Sequence, residues 1–289
     1  MPWFLLTITA SFFASFYMEL NRHLQLDGMQ LNFWRILVQV LTLGPIFLLL
    51  FSWPTNPYFY VVGVIGGVAF AVIDSYLWTI SGRHNGRVAS LFGPVQTVAA
   101  VSIWFFVAPA DFLLLAANPW KAALILFSLG LIVSGSVGMR RNAVAWPIFK
   151  IMLLIGFIYG LLFVMRKMVI APDSQVFLEV AQIFVLHYIV GLITLTAYLG
   201  ARMGKKVFQP QKAMLKGAFL MAFTIFASMV LINVAAVLAP NPGYATAVYL
   251  VYPIWLLLYH KLTGVRDNAS PYAGSLVVIG VILLMLVTA

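Results

Sequence analysis

The sequence predicts an all-α integral membrane protein with ten transmembrane helices, arranged as two inverted five-helix repeats. Three observations lead to this. Apolar residues make up 63% of the 289 positions and charged residues only 8%. The apolar stretches recur at span length between short polar links, and the pattern of the first half returns in the second. Soluble domains carry roughly 25% charged residues, and a soluble fold has nowhere to bury this much apolar surface, whereas lipid accepts it directly.

A helix needs about 20 mostly apolar residues to cross the hydrocarbon core. By that measure the spans are 2–20, 29–52, 58–81, 88–108, 121–139, 146–165, 175–201, 214–239, 244–262 and 272–289. The opening Met-Pro-Trp-Phe-Leu-Leu has no basic leader and no small-residue cleavage site, so segment 1 reads as a retained span. The links at 52–57, 117–119, 239–243 and 267–271 are rich in Pro, Asn and Gly, which are turn and helix-end residues. None is long enough to form a soluble domain, so the chemistry lies in or against the bilayer.

The net charge of +10 comes largely from short clusters between spans, among them Arg140-Arg141, Arg166-Lys167 and Lys205-Lys206. Flanking basic residues are what insertion beside anionic lipid requires, and this sets aside a nucleic-acid partner. Most of the Lys and Arg fall in links on the side opposite the termini, so the positive-inside rule predicts both termini outside the cytoplasm. With no cysteine there is no disulfide, thiolate metal site or cysteine nucleophile.

The ten spans divide at the basic link 140–146, giving one repeat over 1–141 and a second over 142–289, within one membrane domain. Segments 4 and 9 each carry an early proline, Pro94 and Pro253. Aligning these prolines sets Asp74 opposite Asn233, and aligning Arg22 with Arg166 sets Arg35 opposite Glu179. An odd number of spans per repeat forces the second half to enter from the other side. That inversion recurs in alternating-access transporters, whose sites lie near the midplane between halves.

With these features the chain resembles the drug/metabolite transporter superfamily, in particular its EamA-like ten-helix members. The length, the five-plus-five division, Pro94 and Pro253 carry the resemblance. So do the glycines of the closing spans, Gly130, Gly135 and Gly138 in one half and Gly274 and Gly280 in the other. Where the family shows Gly-Glu-Arg-like runs after segments 4 and 9, this chain has Val107-Ala-Pro-Ala-Asp111 and Thr263-Gly-Val-Arg-Asp267. The resemblance implies a secondary carrier of a small polar or amphipathic metabolite, often proton-coupled, working without a cofactor through a central cavity. It also implies a bacterial inner-membrane location.

Ionisable groups inside spans cost about 2.5–3.5 kcal/mol each at a helix centre, and they usually face a polar interior. Asp74, with Tyr76 and Trp78 near it, suits a cationic substrate or a proton site; the alternatives are a pairing with a nearby Arg or the capping of a broken helix. Arg35 and Glu179, at equivalent repeat positions, suggest a latch between the halves, or two side chains snorkelling to headgroups. His187 lies two turns after Glu179 and suggests either a proton relay with it or a buried histidine bonded to a backbone carbonyl. Asn233 joins the candidate set as the counterpart of Asp74. Tyr249 and Tyr252 beside Pro253 suggest a polar lining, because proline frees carbonyls in the preceding turn; Pro94 marks the matching helix break. Small residues at Gly130, Ser134 and Gly138, and again at Gly156 and Gly160, predict close internal helix seams rather than a dimer face.

The expected partners are a small-molecule substrate and membrane lipids, with the chain a monomer or homodimer. No motif holds a metal. Two other classes are a channel, which would need a filter loop or a ring of charge, and an intramembrane lipid-modifying enzyme. For the enzyme, no HExxH or GxSxG motif is present, and His23, His84, His187 and His260 are scattered.

Overall fold

The computed structural model describes residues 2–83, 92–139, 146–173, 175–203, 212–264 and 270–288. Among them are twelve helices and no strand: α1 Trp3–Leu24, α2 Gly28–Leu50, α3 Pro57–Arg83, α4 Phe92–Val107, α5 Pro109–Ala116 and α6 Pro119–Gly138. After these come α7 Trp146–Val169, α8 Val176–Met203, α9 Lys212–Leu238, α10 Pro242–Tyr249, α11 Tyr252–Thr263 and α12 Pro271–Thr288. Helices are the expected answer for such a chain, because in hydrocarbon every backbone N–H and C=O must be satisfied by protein, and a continuous apolar run of about 20 residues does this within itself as a helix. Eight are long and apolar enough to cross a membrane, or nine if α4 and α5 count as one bent span. That is consistent with a multi-pass membrane protein.

Local signals set many of the ends. Asp27 caps α2, its carboxylate accepting from the amides of Met29 and Gln30 at 3.1 and 2.9 Å. Asn118 and Asn241 cap α6 and α10 in the same way. Gly264 ends α11 with a φ of 71°, a left-handed conformation that suits glycine.

The fourth segment ends at Ala108, the boundary read from the sequence, and α5 leaves α4 at a bend of 99°. Pro109 has no N–H to continue the ladder, yet it suits the first turn of a new helix. The stretch around Asp111, between the fourth and fifth segments read from the sequence, is helical. The ninth segment is split at Leu250–Val251. There Leu250 and Val251 donate to Ala247 and Val248, three residues back, at 3.1 and 3.2 Å. The ladder tightens just before Pro253, which stands in the first turn of α11. Pro94 is different: it lies in the first turn of α4, and residues 84–91 before it fall outside the described residues. Within the described helix it makes no break.

The chain divides into two compact units. One comprises Met1–Ser15, Ser90–Lys167 and Leu231–Ala289, the other Phe16–Ala89 and Met168–Val230. Both draw on residues before and after the link at 140–146.

In the second unit α3 packs on α8 and α2 along glycines. A Cβ on Gly66 would strike the His187 ring, and one on Gly67 would meet the His187 carbonyl oxygen at 2.8 Å. In the first unit Gly156 and Gly160 bring α7 against the α4 backbone, where added Cβ atoms would lie 2.6 Å from the Phe92 oxygen and 2.9 Å from the Gln96 oxygen. That seam matches the sequence expectation. The one in α6 does not: α6 meets α12 through Ser128, Ile132 and Gly135, whereas Gly130 and Ser134 are exposed and a Cβ on Gly130 would meet nothing within 4 Å. A four-residue spacing of small residues marks a face without saying which neighbour covers it.

Candidate functional site

In the second unit the polar chemistry is built from α2 upward. Asn32, Arg35 and Gln39 recur at three and four residues, so they share one helical face, and all are buried at 0–1% exposure. The guanidinium of Arg35 is bonded through each of its nitrogens. Nε donates to Asn32 Oδ1 at 3.1 Å, Nη1 to Gln39 Oε1 at 3.0 Å, and Nη2 to both Asn32 Oδ1 and Asp74 Oδ2, the latter an ion pair at 3.0 Å. The Tyr188 ring of α8 lies 5.8 Å from the guanidinium carbon.

The surrounding groups extend this network. Asn32 Nδ2 donates to Ser75 Oγ at 2.9 Å and to the Ala71 carbonyl at 3.3 Å, both on α3. Gln39 Nε2 donates to the Ala222 carbonyl of α9 at 2.8 Å. Taking two charges out of water costs several kcal/mol per ion, and that cost is offset only where geometry is good and the remaining polar groups are bonded. Here they are.

His187, fully buried on α8, is stacked on Phe70 at 5.4 Å and edge-on to Phe184 at 5.1 Å. Trp78 is buried and edge-on to Tyr17 at 5.7 Å, and its carbonyl accepts from Asn21 at 3.0 Å.

In the first unit Arg166, on α7, is 1% exposed and donates from Nη1 to Asn233 Oδ1 of α9 at 2.9 Å. The next residue, Lys167, sends Nζ to the carbonyls of Val237 and Ala239 at 2.6 and 2.7 Å, capping the C-terminal end of α9. The same ammonium sits 5.0 Å from the Trp104 ring centre. Tyr249 and Tyr252 are both buried, with ring centres 5.7 Å apart across the α10–α11 break.

The candidate residues therefore separate. Asp74 and Arg35 come together, so the carboxylate offered for a cationic substrate is already engaged by a guanidinium. Arg35 does not reach for Glu179, which is half-buried in the first turn of α8; a carboxylate on the adjacent helix takes the guanidinium first. This overturns the latch. Tyr76 is on the outward side of α3 at 37% exposure and is no part of an Asp74 site. Two residues of helix turn it about 200° away from Asp74. His187 sits in an aromatic pocket rather than on Glu179.

Sequence reasoning missed Arg166 and Asn32. Arg166 read as a flanking charge because Lys167 follows it. Its signal was the repeat alignment, which set Asn233 opposite Asp74 and so marked position 233 for an arginine partner. Asn32 was legible from its three-residue spacing to Arg35.

The chain matches no protein-family model and no curated protein. It is similar in fold to a solved structure described only as "Crystal structure of protein", at 12% identity and a TM-score of 0.60, over 99% of this chain and 96% of that one. At that identity the likeness is one of fold.

Proposed function

We propose that this protein is a secondary-active transporter of the EamA-like drug/metabolite kind, with ten spans in two inverted five-helix halves. It moves a small polar or amphipathic metabolite across a bacterial inner membrane by alternating access. The observation that carries this reading is the complete charged network around Arg35 and Asp74, buried among helices apolar enough to span a bilayer. Intramembrane charge is expensive and marks substrate or ion pathways. The make-up of the two units supports the duplication. Spans 2 and 3 share a unit with spans 7 and 8, and spans 4 and 5 share one with spans 9 and 10. Each unit also buries an arginine, bonded to position 74 in one and to its repeat counterpart 233 in the other.

Metabolites that raise the Tm of the purified full-length protein would identify substrate candidates, since a ligand of the folded state stabilises it by mass action. Those metabolites then enter a counterflow assay in sealed proteoliposomes. Saturable counterflow is the expected result, and Asp74→Asn should lose or strongly weaken it when activity is scored per amount of folded, monodisperse protein reconstituted. Ion conductance without saturation would identify a channel instead, and chemical conversion of the solute an enzyme.

A further inference from the structure

Where α5 meets the starts of α6 and α10, the first unit holds a cavity of about 260 Å³. Its walls include Phe105, Leu115 and Ile125, and its polar side chains are Asp111, Lys121, Asn241, Tyr244 and Thr288. Asn241 accepts from the Gly243 amide and donates to the Val101 carbonyl, and Thr288 donates to the Leu284 carbonyl; Asp111, Lys121 and Tyr244 have bonding capacity that the described residues leave unused. Asp111 accepts from Trp104 Nε1 at 2.9 Å through Oδ2, and its Oδ1 accepts from no described donor. Lys121 is exposed, and its ammonium forms no hydrogen bond or ion pair among the described residues. Tyr244 is only 4% exposed, and its hydroxyl has no hydrogen-bond partner among them. A phenol buried to that extent ordinarily finds one. The nearby Lys167 is committed to the α9 carbonyls.

We propose that this cavity binds a zwitterion joining a primary ammonium to an anionic oxygen group, as in phosphoethanolamine. The ammonium donates to Asp111 Oδ1 beside the Phe105 ring, and the anionic oxygens accept from Lys121 and the Tyr244 hydroxyl. A simple cation would leave Lys121 opposed to it, and a simple anion would leave Asp111 opposed. Only a ligand with both charges meets all three groups.

Such a ligand has two sources, an ethanolamine phospholipid or a soluble zwitterion, and α5 favours the lipid. That helix turns 99° away from α4 and buries none of its residues. It leaves Leu113 and Leu114 66% and 74% exposed beside the cavity, with Trp120 at 75% just beyond, an apolar surface for acyl chains. The site stands independently of the transport reading.

The test titrates delipidated full-length protein in detergent with dihexanoylphosphatidylethanolamine, followed by calorimetry. Asp111→Asn keeps an acceptor for Trp104, Tyr244→Phe removes one hydroxyl, and Lys121→Gln changes an exposed side chain. Each should weaken binding about tenfold, the scale of one charge-assisted hydrogen bond. The phosphatidylcholine and phosphatidylglycerol analogues, lacking an ammonium N–H or the cation itself, should also bind at least about tenfold more weakly. Glycerophosphoethanolamine that binds as tightly as the lipid supports the site with a soluble ligand; weaker binding supports it with a lipid. Equal binding of phosphatidylglycerol or phosphatidylcholine overturns the proposal, as does wild-type affinity in all three variants.

Discussion

Arg35 and Arg166 are buried to the same degree, at 0% and 1% exposure, yet they are held in different ways. Arg35 sits in a network in which a carboxylate balances its charge and two amides accept from its nitrogens. Arg166 donates to an amide, Asn233, which offers a dipole and no charge. The residues that accept from them, Asp74 and Asn233, are the pair that the repeat alignment sets opposite one another. The donors come from different helices, Arg35 from α2 and Arg166 from α7, and the contact with position 74 is ionic while that with position 233 is not.

The difference predicts a hierarchy of effects. Asp74→Asn should be the most damaging change, destabilising the protein by about 3–5 kcal/mol, because it leaves a buried guanidinium without its counter-charge. Unfolding titrations of the purified protein measure this. The double variant Arg35→Met with Asp74→Leu should recover much of the loss, since removing both charges together avoids the unpaired one. If Asp74→Asn melts like the wild type, the ionic description of this network is wrong.

Asn233→Ala should cost less, about 1.5–3 kcal/mol, the worth of a hydrogen bond to a charged group. Asn233→Asp should be tolerated better than Asn233→Ala, because it supplies the arginine with the carboxylate that position 74 carries. Were Asn233→Ala as damaging as Asp74→Asn in the same titration, the two arginines would be equivalent after all.

The smallest effect belongs to Lys167→Met, which keeps the apolar stem and removes only the cap on α9. A loss of about 1 kcal/mol is expected for a cation at a helix C-terminus in a partly buried setting. Amide hydrogen exchange should show it as faster opening confined to the last turn of α9, near Val237. Protection lost over the whole of α9 would mean that Lys167 holds more than a helix end.

The helices were legible because a span declares itself twice, by apolar length and by the turn residues that close it. α2, α6 and α12 fall within a few residues of the stretches read from the sequence. The site was legible only in part. Asp74 and Arg35 stood out as charges in apolar surroundings, and that signal needs no partner to be seen. Tyr76 was grouped with Asp74 by closeness in the chain, but a helix sends residues two apart to opposite sides. Arg166 was hidden by Lys167, because two basic residues at the end of a span look like headgroup anchors whichever way they point.

What the sequence by itself determined was the solvent and the secondary structure. With 63% apolar residues and so few charges the chain needs lipid-like surroundings, and there the backbone must satisfy its own hydrogen bonds, which leaves helices. Pro253 also marked where a helix restarts, since it removes a donor from the ladder. Only the tertiary structure decided which charges meet. A guanidinium on α2 has carboxylates at 74 and 179 to choose between, and nothing in their spacing ranks them. The close approach of α2 and α3, with Gly28 against the Thr79 backbone, brings Asp74 within 3.0 Å of Arg35. An ion pair in low dielectric is decided by such distances, because its attraction rises as the separation falls and must overcome the desolvation of both partners.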